Sequence, residues 1–369
     1  MKKLLHIQLL PLLSGVQRFS LHLLDGLDKN EFSIYVAAKP GGEFCAEVIQ
    51  RGYRFIPLPT FRHPISISDT LTFVHLLWLL LRHKFDIVHT NSSKPGLLGR
   101  LAARLCGVKL IVHTEHGTAF QDSQSPYAYR FYALMEFVGN YIGHKTVFVN
   151  NCEREKCLSM HLLPAAKAST IYNAIPPALT AQLGHIAAGR KLPDAEVIIG
   201  STLRFSTQKN VIRLITAACK ACALTPKLRF IILGDGEHFE LCQTIVHSYN
   251  VSGQILLPGW DSDIVPWLKV FNAFVLYSRW EAQPFSIIEA MSSGLPVIGS
   301  DIPSIRELVD EESGYLVTLD DDAALTNLFV QLAGNFQPAY EKGKHAAKRI
   351  TELCNYPAMI ASYTALYRG

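Results

Sequence analysis

Through the first half of the chain, short apolar runs alternate with longer segments whose apolar positions recur at helical spacing. The runs at 4–9, 33–38, 87–90, 110–114 and 145–150 predict strands, and the segments at 16–27, 44–52, 67–83, 96–106 and 127–141 predict helices. The second half repeats the pattern, with strands expected at 197–201, 229–233, 254–257, 273–277, 297–300 and 314–317. Such alternation implies parallel sheets wrapped by helices. The pattern is interrupted at 173–193 by Pro176-Pro177, Gly184 and Gly189-Arg-Lys, so two doubly wound α/β domains are expected, meeting near that junction. Sheets of this kind bind ligands at the carboxyl ends of their strands. The last apolar periodicity, 357–367, predicts an amphipathic helix.

A length of 369 residues suits two such domains better than one. The net charge of +4 is unevenly placed: residues 1–180 hold 19 Lys and Arg against 12 Asp and Glu, the remainder 16 against 19. A basic first half suits an acidic headgroup or a pyrophosphate, and equally an uneven solvated surface. Arg51, Arg54, Arg62, Arg82 and Lys84 lie among Tyr53, Phe55, Phe61, Trp78 and Phe85. This interleaving fits a membrane interface as well as ordinary snorkelling. The 8 Cys are scattered and show no disulfide framework, which fits a reducing cytoplasm. Cys219 and Cys222 form a C-x-x-C inside a helical segment without a second pair. Residues 4–13 are broken by His6, Gln8 and Pro11 and read as the first strand, not as a signal peptide. The longest apolar stretch, 71–81, is too short to span a bilayer.

The chemistry concentrates in the second half. Glu281 and Glu289 stand eight positions apart, the first in a loop after a strand, the second within a helix expected over 285–291. Pro284 precedes that helix and Gly294 stops it. A helix N-terminus favours phosphate, and a loop carboxylate beside it suits sugar hydroxyls. Arg204 and Lys209 share the loop after the first strand of the second domain and are able to converge on one diphosphate. Gly234 and Gly236, after the next strand, permit a tight turn or a close approach to ligand. Trp260 follows a third strand, and Asp261-Ser-Asp263 is a literal D-x-D best read as a loop with Asp263 capping a helix. In the first half, Ser14-Gly15 ends the first strand, Gly15 leaving room for an anion. His113 and His116 end another strand, after a Thr90-Asn-Ser-Ser-Lys94-Pro-Gly96 loop.

The Glu281-Ala282-Gln283-Pro284-Phe285-Ser286-Ile-Ile-Glu289 element, the Arg204–Lys209 pair before Asn210-Val-Ile-Arg-Leu-Ile-Thr-Ala217, and the Thr90–Gly96 loop together resemble retaining glycosyltransferases of the GT-B fold, family 4. The resemblance covers nearly the whole chain and is strongest over 197–310. It implies two Rossmann-like domains facing a central cleft: an acceptor-binding domain at 1–175, to which a helix at about 356–369 crosses back, and a nucleotide-sugar domain at 176–355. It further implies that Glu281 holds the sugar, that Glu289 holds the ribose, and that Arg204 and Lys209 hold the diphosphate without a metal or other cofactor. Gly15, Gly234, Gly236, Trp260, Asp263 and the Ala282–Ser286 loop would complete the site, and His116 would touch the sugar or diphosphate. Departures are Ser14 for a usual Gly, Asn91 for a usual His, Pro95 for Ala, and Ala282 for a usual Gly. The implied activity moves a hexose or N-acetylhexosamine, with UDP as the expected nucleotide. The implied acceptor is a saccharide linked to undecaprenyl diphosphate, at the cytoplasmic face of the inner membrane, in O-antigen, lipopolysaccharide or capsule synthesis. No nucleic-acid partner is expected. A GT-B UDP-sugar epimerase, a GDP-sugar-dependent mannosyl- or fucosyltransferase, and a non-enzymatic sugar-nucleotide-binding module are the alternatives.

Overall fold

The computed structural model describes residues 1–61, 68–120 and 125–369. The chain divides into two compact units, Met1–Ala174 with Tyr356–Gly369, and Ile175–Asn355. The first contains β1 (Lys2–Ile7), α1 (Gly15–Gly26), β2 (Phe32–Ala38), α2 (Gly42–Gln50), β3 (Arg54–Pro57), α3 (Ser68–His83), β4 (Ile87–Asn91), α4 (Ser93–Leu105), β5 (Leu110–Glu115), α5 (Pro126–Ile142), β6 (Lys145–Phe148), α6 (Asn151–Ser159) and β7 (Ala168–Thr170). The second begins with α7 (Pro177–Gly189) and continues through β8 (Val197–Thr202), α8 (Val211–Leu224), β9 (Leu228–Leu233), α9 (Phe239–Ser248), β10 (Ile255–Gly259), α10 (Val265–Val270), β11 (Ala273–Leu276), α11 (Phe285–Ser292), β12 (Val297–Ser300), α12 (Pro303–Leu308), β13 (Gly314–Val317), α13 (Asp322–Gly334) and α14 (Gln337–Leu353). The last helix, α15 (Tyr356–Arg368), returns to the first unit.

Both sheets are parallel in every recorded pairing. Their orders are β3-β2-β1-β4-β5-β6-β7 and β10-β9-β8-β11-β12-β13. Each reverses direction once, between β1 and β4 in the first and between β8 and β11 in the second. Those reversals are where neighbouring strand-end loops diverge and leave room for a ligand. Central strands are covered on both faces and read as continuous apolar runs. Phe274, Val275 and Leu276 are all buried on β11, as are Leu4, Leu5 and Ile7 on β1.

The local departures from the sequence reading have simple causes. Edge strands β3 and β7 went unread because Arg-Phe-Ile-Pro and Ala-Ser-Thr are short and partly exposed, with no apolar run. The Pro176-Pro177 interruption is the start of α7: Pro177 occupies a first-turn position, where its missing N–H costs nothing. Helix α6, Asn-Cys-Glu-Arg-Glu-Lys-Cys-Leu-Ser, has too few apolar positions to show a period. It is marked instead by its cap, the Asn150 carboxamide oxygen accepting from the Glu153 N–H at 2.8 Å. Helix α15 is fixed to its sheet by two buried phenols. Tyr367 pairs with His89 Nδ1 at 2.6 Å, and Tyr363 with Thr114 Oγ1 at 2.9 Å.

Candidate active site

In the second unit the loops leaving β8 and β11 flank the sheet reversal and are tied together three times. Arg279 N–H donates to the Gln208 carbonyl at 2.8 Å, the Gln208 amide donates to the Trp280 carbonyl at 3.0 Å, and Lys209 Nζ forms an ion pair with Glu281 Oε1. The Lys209 and Glu281 side chains are largely buried, so the pair is shielded from solvent. Sequence spacing alone gave no hint of this bond, because 72 positions separate the partners. It means that Lys209 orients the Glu281 carboxylate while presenting its own charge beside it. Arg204 is exposed and makes no side-chain hydrogen bond or ion pair among the described residues, which leaves its guanidinium open to an anion. A groove of about 500 Å³ is lined by Arg204, Thr207, Gln208, Gly236, Glu237 and Trp280, all from these loops and the one after β9.

The β9 loop needs its glycines for packing. Gly234 has φ 134° and Gly236 φ 151°, and a Cβ on Gly234 would overlap the Leu203 carbonyl oxygen. A Cβ on Gly236 would stand 2.6 Å from the Phe205 carbonyl oxygen. Phe205 N–H in turn donates to Asp235 O at 2.9 Å, so the glycines let two loop backbones touch beneath the groove. Asn210 at φ 51° turns the chain into α8.

The remaining predicted residues divide. Glu281, Ala282 and Ser286 are partly exposed, whereas Pro284, Phe285 and Gln283 are buried; the Gln283 amide donates to Cys354 Sγ at 3.3 Å. Glu289 is buried on α11, which Pro284 precedes and Gly294, at φ 76°, follows. Trp260 is exposed at the end of edge strand β10, connected to the site through the Gly234 N–H to Gly259 O bond at 2.8 Å. The D-x-D carboxylates close their own loop. Asp261 accepts from Asp263 N–H at 2.9 Å and from the Trp267 indole N–H at 2.8 Å, and Asp263 accepts from Val265 N–H at 3.2 Å. Cys219 and Cys222 are buried free thiols on α8, and burial pushes the former to about 11 and the latter to about 12.

In the first unit the β1 loop closes through Ser14, which is extended at φ −96° and bonds Gln17; no glycine is required there, and Gly15 opens α1. His116, just past β5, packs edge-on against Phe19 with ring centroids 4.6 Å apart. Its Nε2 meets the Asn91 carboxamide oxygen at 3.1 Å, and Asn91 Nδ2 donates to His6 Nε2 at 2.9 Å. Because the Asn91 nitrogen is committed to His6, His116 must carry its proton on Nε2, leaving Nδ1 as an acceptor. Burial pulls both His6 and His116 down to about 3, so both are neutral near pH 7. His116 is therefore a hydrogen-bonding group rather than a resident proton donor, and Asn91, standing where a His is usual, sets its tautomer. Lys94, by contrast, is paired with Asp69 at 2.6 Å.

Behind His116 lies a second buried network. His113 joins Thr90 Oγ1 at 3.0 Å and Glu115 Oε2 at 3.1 Å. The fully buried Arg100 guanidinium meets Glu136 at 3.4 Å and Asn140 Oδ1 at 2.9 Å. Potential metal-ligating atoms of His113, Glu115 and Glu136 lie within 4.8 Å of one another. Arg100 already supplies this cluster with a cation. Burial, then the Glu136 and Glu153 carboxylates, push Glu115 well above the usual carboxylate range, which favours its neutral form in this charged cluster.

The interleaved aromatic and basic set at 51–85 divides between the core and the surface. Tyr53, Phe61 and Phe85 are buried, and Arg51 is paired with Asp25 and Glu47; Arg62 lies outside the described residues. Trp78, Arg82 and Lys84 are exposed on or just beyond α3, and Arg54 is exposed on β3 with its guanidinium against the Tyr35 ring.

Residues 186–348 match the Glycosyl transferases group 1 family, and residues 13–179 match Glycosyltransferase Family 4. The Escherichia coli UDP-Gal:alpha-D-GlcNAc-diphosphoundecaprenol alpha-1,3-galactosyltransferase is 35% identical over 344 residues, which cover 89% of this chain and 87% of that one. The chain belongs to glycosyltransferase family 4. The fold of this glycosyltransferase is GT-B. Anabaena HepE, solved with UDP and glucose, superposes with a TM-score of 0.82 at 15% identity over 99% of both chains. The sucrose-phosphate synthase of Thermosynechococcus elongatus gives 0.81 at 19% identity, covering 100% of this chain and 98% of that one.

Proposed function

We propose that this glycosyltransferase moves a hexose from a UDP-sugar to a saccharide carried on undecaprenyl diphosphate, with retention of anomeric configuration, in bacterial surface polysaccharide synthesis. The observation that carries the reading is the bridge between the β8 and β11 loops. An open Arg204 lines a groove with Gln208 and Trp280, the residues that precede the paired Lys209 and Glu281, which suits cations for a diphosphate and an oriented carboxylate for sugar hydroxyls. The 35% identical relative is named for transfer of galactose from UDP to such a lipid-linked acceptor, which makes UDP-galactose the first sugar donor to test.

In this reading the departing UDP is stabilised by Arg204, by Lys209 and by backbone N–H groups, and the acceptor oxygen attacks from the face the UDP leaves. Glu281 positions the sugar, Glu289 the ribose, and His116 accepts a sugar hydroxyl at Nδ1. No protein nucleophile is assigned. The D-x-D carboxylates, each holding a local N–H, support a metal-independent mechanism. Transfer from a UDP-sugar to a lipid-linked acceptor would run at the cytoplasmic face of the inner membrane.

Calorimetric titration with UDP, UMP and GDP in the presence of EDTA tests the sugar-donor site. UDP is expected to bind without a divalent ion, and Arg204→Ala to weaken it about tenfold or more. Preference for GDP would redirect the reading to mannosyl or fucosyl transfer, and binding only after a divalent ion is added would overturn the metal-independent mechanism.

A further inference from the structure

Helices α3, α4 and α5 lie side by side on one face of the first sheet, α4 touching both of its neighbours. Their inner positions fill the core, as Leu76, Leu79, Leu80, Ala102 and Ala103 show. Their outer positions are also apolar. On α5, Tyr127, Phe131, Leu134, Val138 and Tyr141 recur at spacings of four and three and form one stripe, with Tyr127 86% and Tyr141 76% exposed. On α3, Leu71, Val74, Trp78 and Leu81 do the same, Trp78 being 54% and Leu81 64% exposed. Leu105 continues the surface on α4.

The charges on this layer have one sign. Arg82, Arg104 and Arg130 are exposed on the three helices, with the Arg82 guanidinium 5.4 Å from the Trp78 ring centre; just beyond α3, Lys84 is exposed and Asp86 is paired with Lys109 at 3.7 Å. The only carboxylates on the described residues of these helices are Asp69 and Glu136, and both are turned inward to Lys94 and Arg100. A solvated surface would carry both signs and few large apolar groups, so this face is built for another environment. We infer that the α3–α4–α5 layer is a membrane-docking face that seats its aromatic stripes in the headgroup region of a bilayer containing anionic lipid. Amphipathic rings and cations without acids are the composition that interface favours. A second copy of the chain fits poorly, because two-fold pairing would set this all-cationic surface against itself. No helix among the described residues is long and apolar enough to cross a membrane. The inference deepens the lipid-linked acceptor reading by naming the surface that brings the enzyme to its acceptor.

Vesicle sedimentation of the full chain, without sugar donor or acceptor, tests it. The protein is expected to sediment with phosphatidylglycerol–phosphatidylethanolamine vesicles, to be released by high salt, and to bind phosphatidylcholine vesicles weakly. The double variants Phe131→Ser/Leu134→Ser and Arg104→Glu/Arg130→Glu should each lose roughly tenfold or more in vesicle affinity while keeping wild-type UDP affinity and thermal midpoint. Two results would overturn the docking face: no vesicle binding by a wild-type protein that binds UDP, or equal vesicle binding by both variants. Wild-type dimers that the same variants dissociate, with no partition to vesicles, would also overturn it. Vesicle binding without UDP binding would instead leave the face standing and remove the sugar-donor reading.

Discussion

Lys209→Met and Glu281→Gln should each lower kcat for sugar transfer by about 10²–10³-fold, the usual effect of removing one preorganised electrostatic group. Both residues sit on loops at the reversal of the second sheet, joined by a shielded ion pair, so each variant disorients its partner and, in the proposed roles, removes a contact to substrate. The loss of stability should be much smaller, about 1–2 kcal/mol, because two backbone-anchored hydrogen bonds, from Arg279 and from Gln208, still join the loops. Steady-state kinetics beside thermal unfolding separates the effects. The Lys209 variant should also bind UDP more weakly, whereas the Glu281 variant should keep UDP affinity and lose sugar discrimination. Turnover near the wild-type value in both would remove them from the mechanism.

The largest expected effect on stability is at Arg100, far in character from the site. Arg100→Met should cost about 3–5 kcal/mol, since it strands the buried Glu136 carboxylate and removes the guanidinium donors to the Gly96 and Asn140 oxygens, of which Asn140 Oδ1 keeps only the Thr146 hydroxyl. Glu115→Gln should change stability by no more than about 1 kcal/mol, because burial favours the neutral acid at this position and Gln keeps its shape. Neighbouring Glu153 supplies a pH signature. Burial raises it to about 7, so the folded state binds its proton more tightly than the unfolded chain. Its contribution is full below about pH 4.5, is lost as pH rises towards 7, and is constant above. Chemical denaturation across that range should show a falling component that Glu153→Gln abolishes. An Arg100→Met protein as stable as wild type would contradict the buried network.

The parallel architecture was legible because buried strands must be apolar along their length and their crossover helices amphipathic. The loops of the candidate site were legible for a related reason: strand ends carrying Arg204 and Glu281 interrupt apolar runs with charged residues, and Gly234 interrupts one where two loop backbones must approach closely. What escaped is what depends on three-dimensional register. Nothing in the chain order announces that Lys209 bonds Glu281, that Asn91 sets the proton on His116, or that Gln283 turns inward to Cys354. The docking layer illustrates the same limit. The basic–aromatic set at 51–85 mixes buried rings with exposed ones, whereas the periodicity of α5 does not tell that its apolar stripe faces outward while Ala133, Glu136, Gly139 and Asn140 face inward. The Pro176-Pro177 pair misled in the opposite direction, since proline begins helices as readily as it ends them.

The most direct measurement is the anomeric configuration of the product formed from UDP-galactose and a synthetic N-acetylglucosamine-diphospho-lipid, read by proton NMR. UDP-galactose is an α-linked sugar donor, so the account predicts an α-galactoside, formed in EDTA and absent with the Glu281→Gln protein. A β-galactoside would contradict retention, and a UDP-sugar epimerised or hydrolysed with the acceptor untouched would contradict transfer itself.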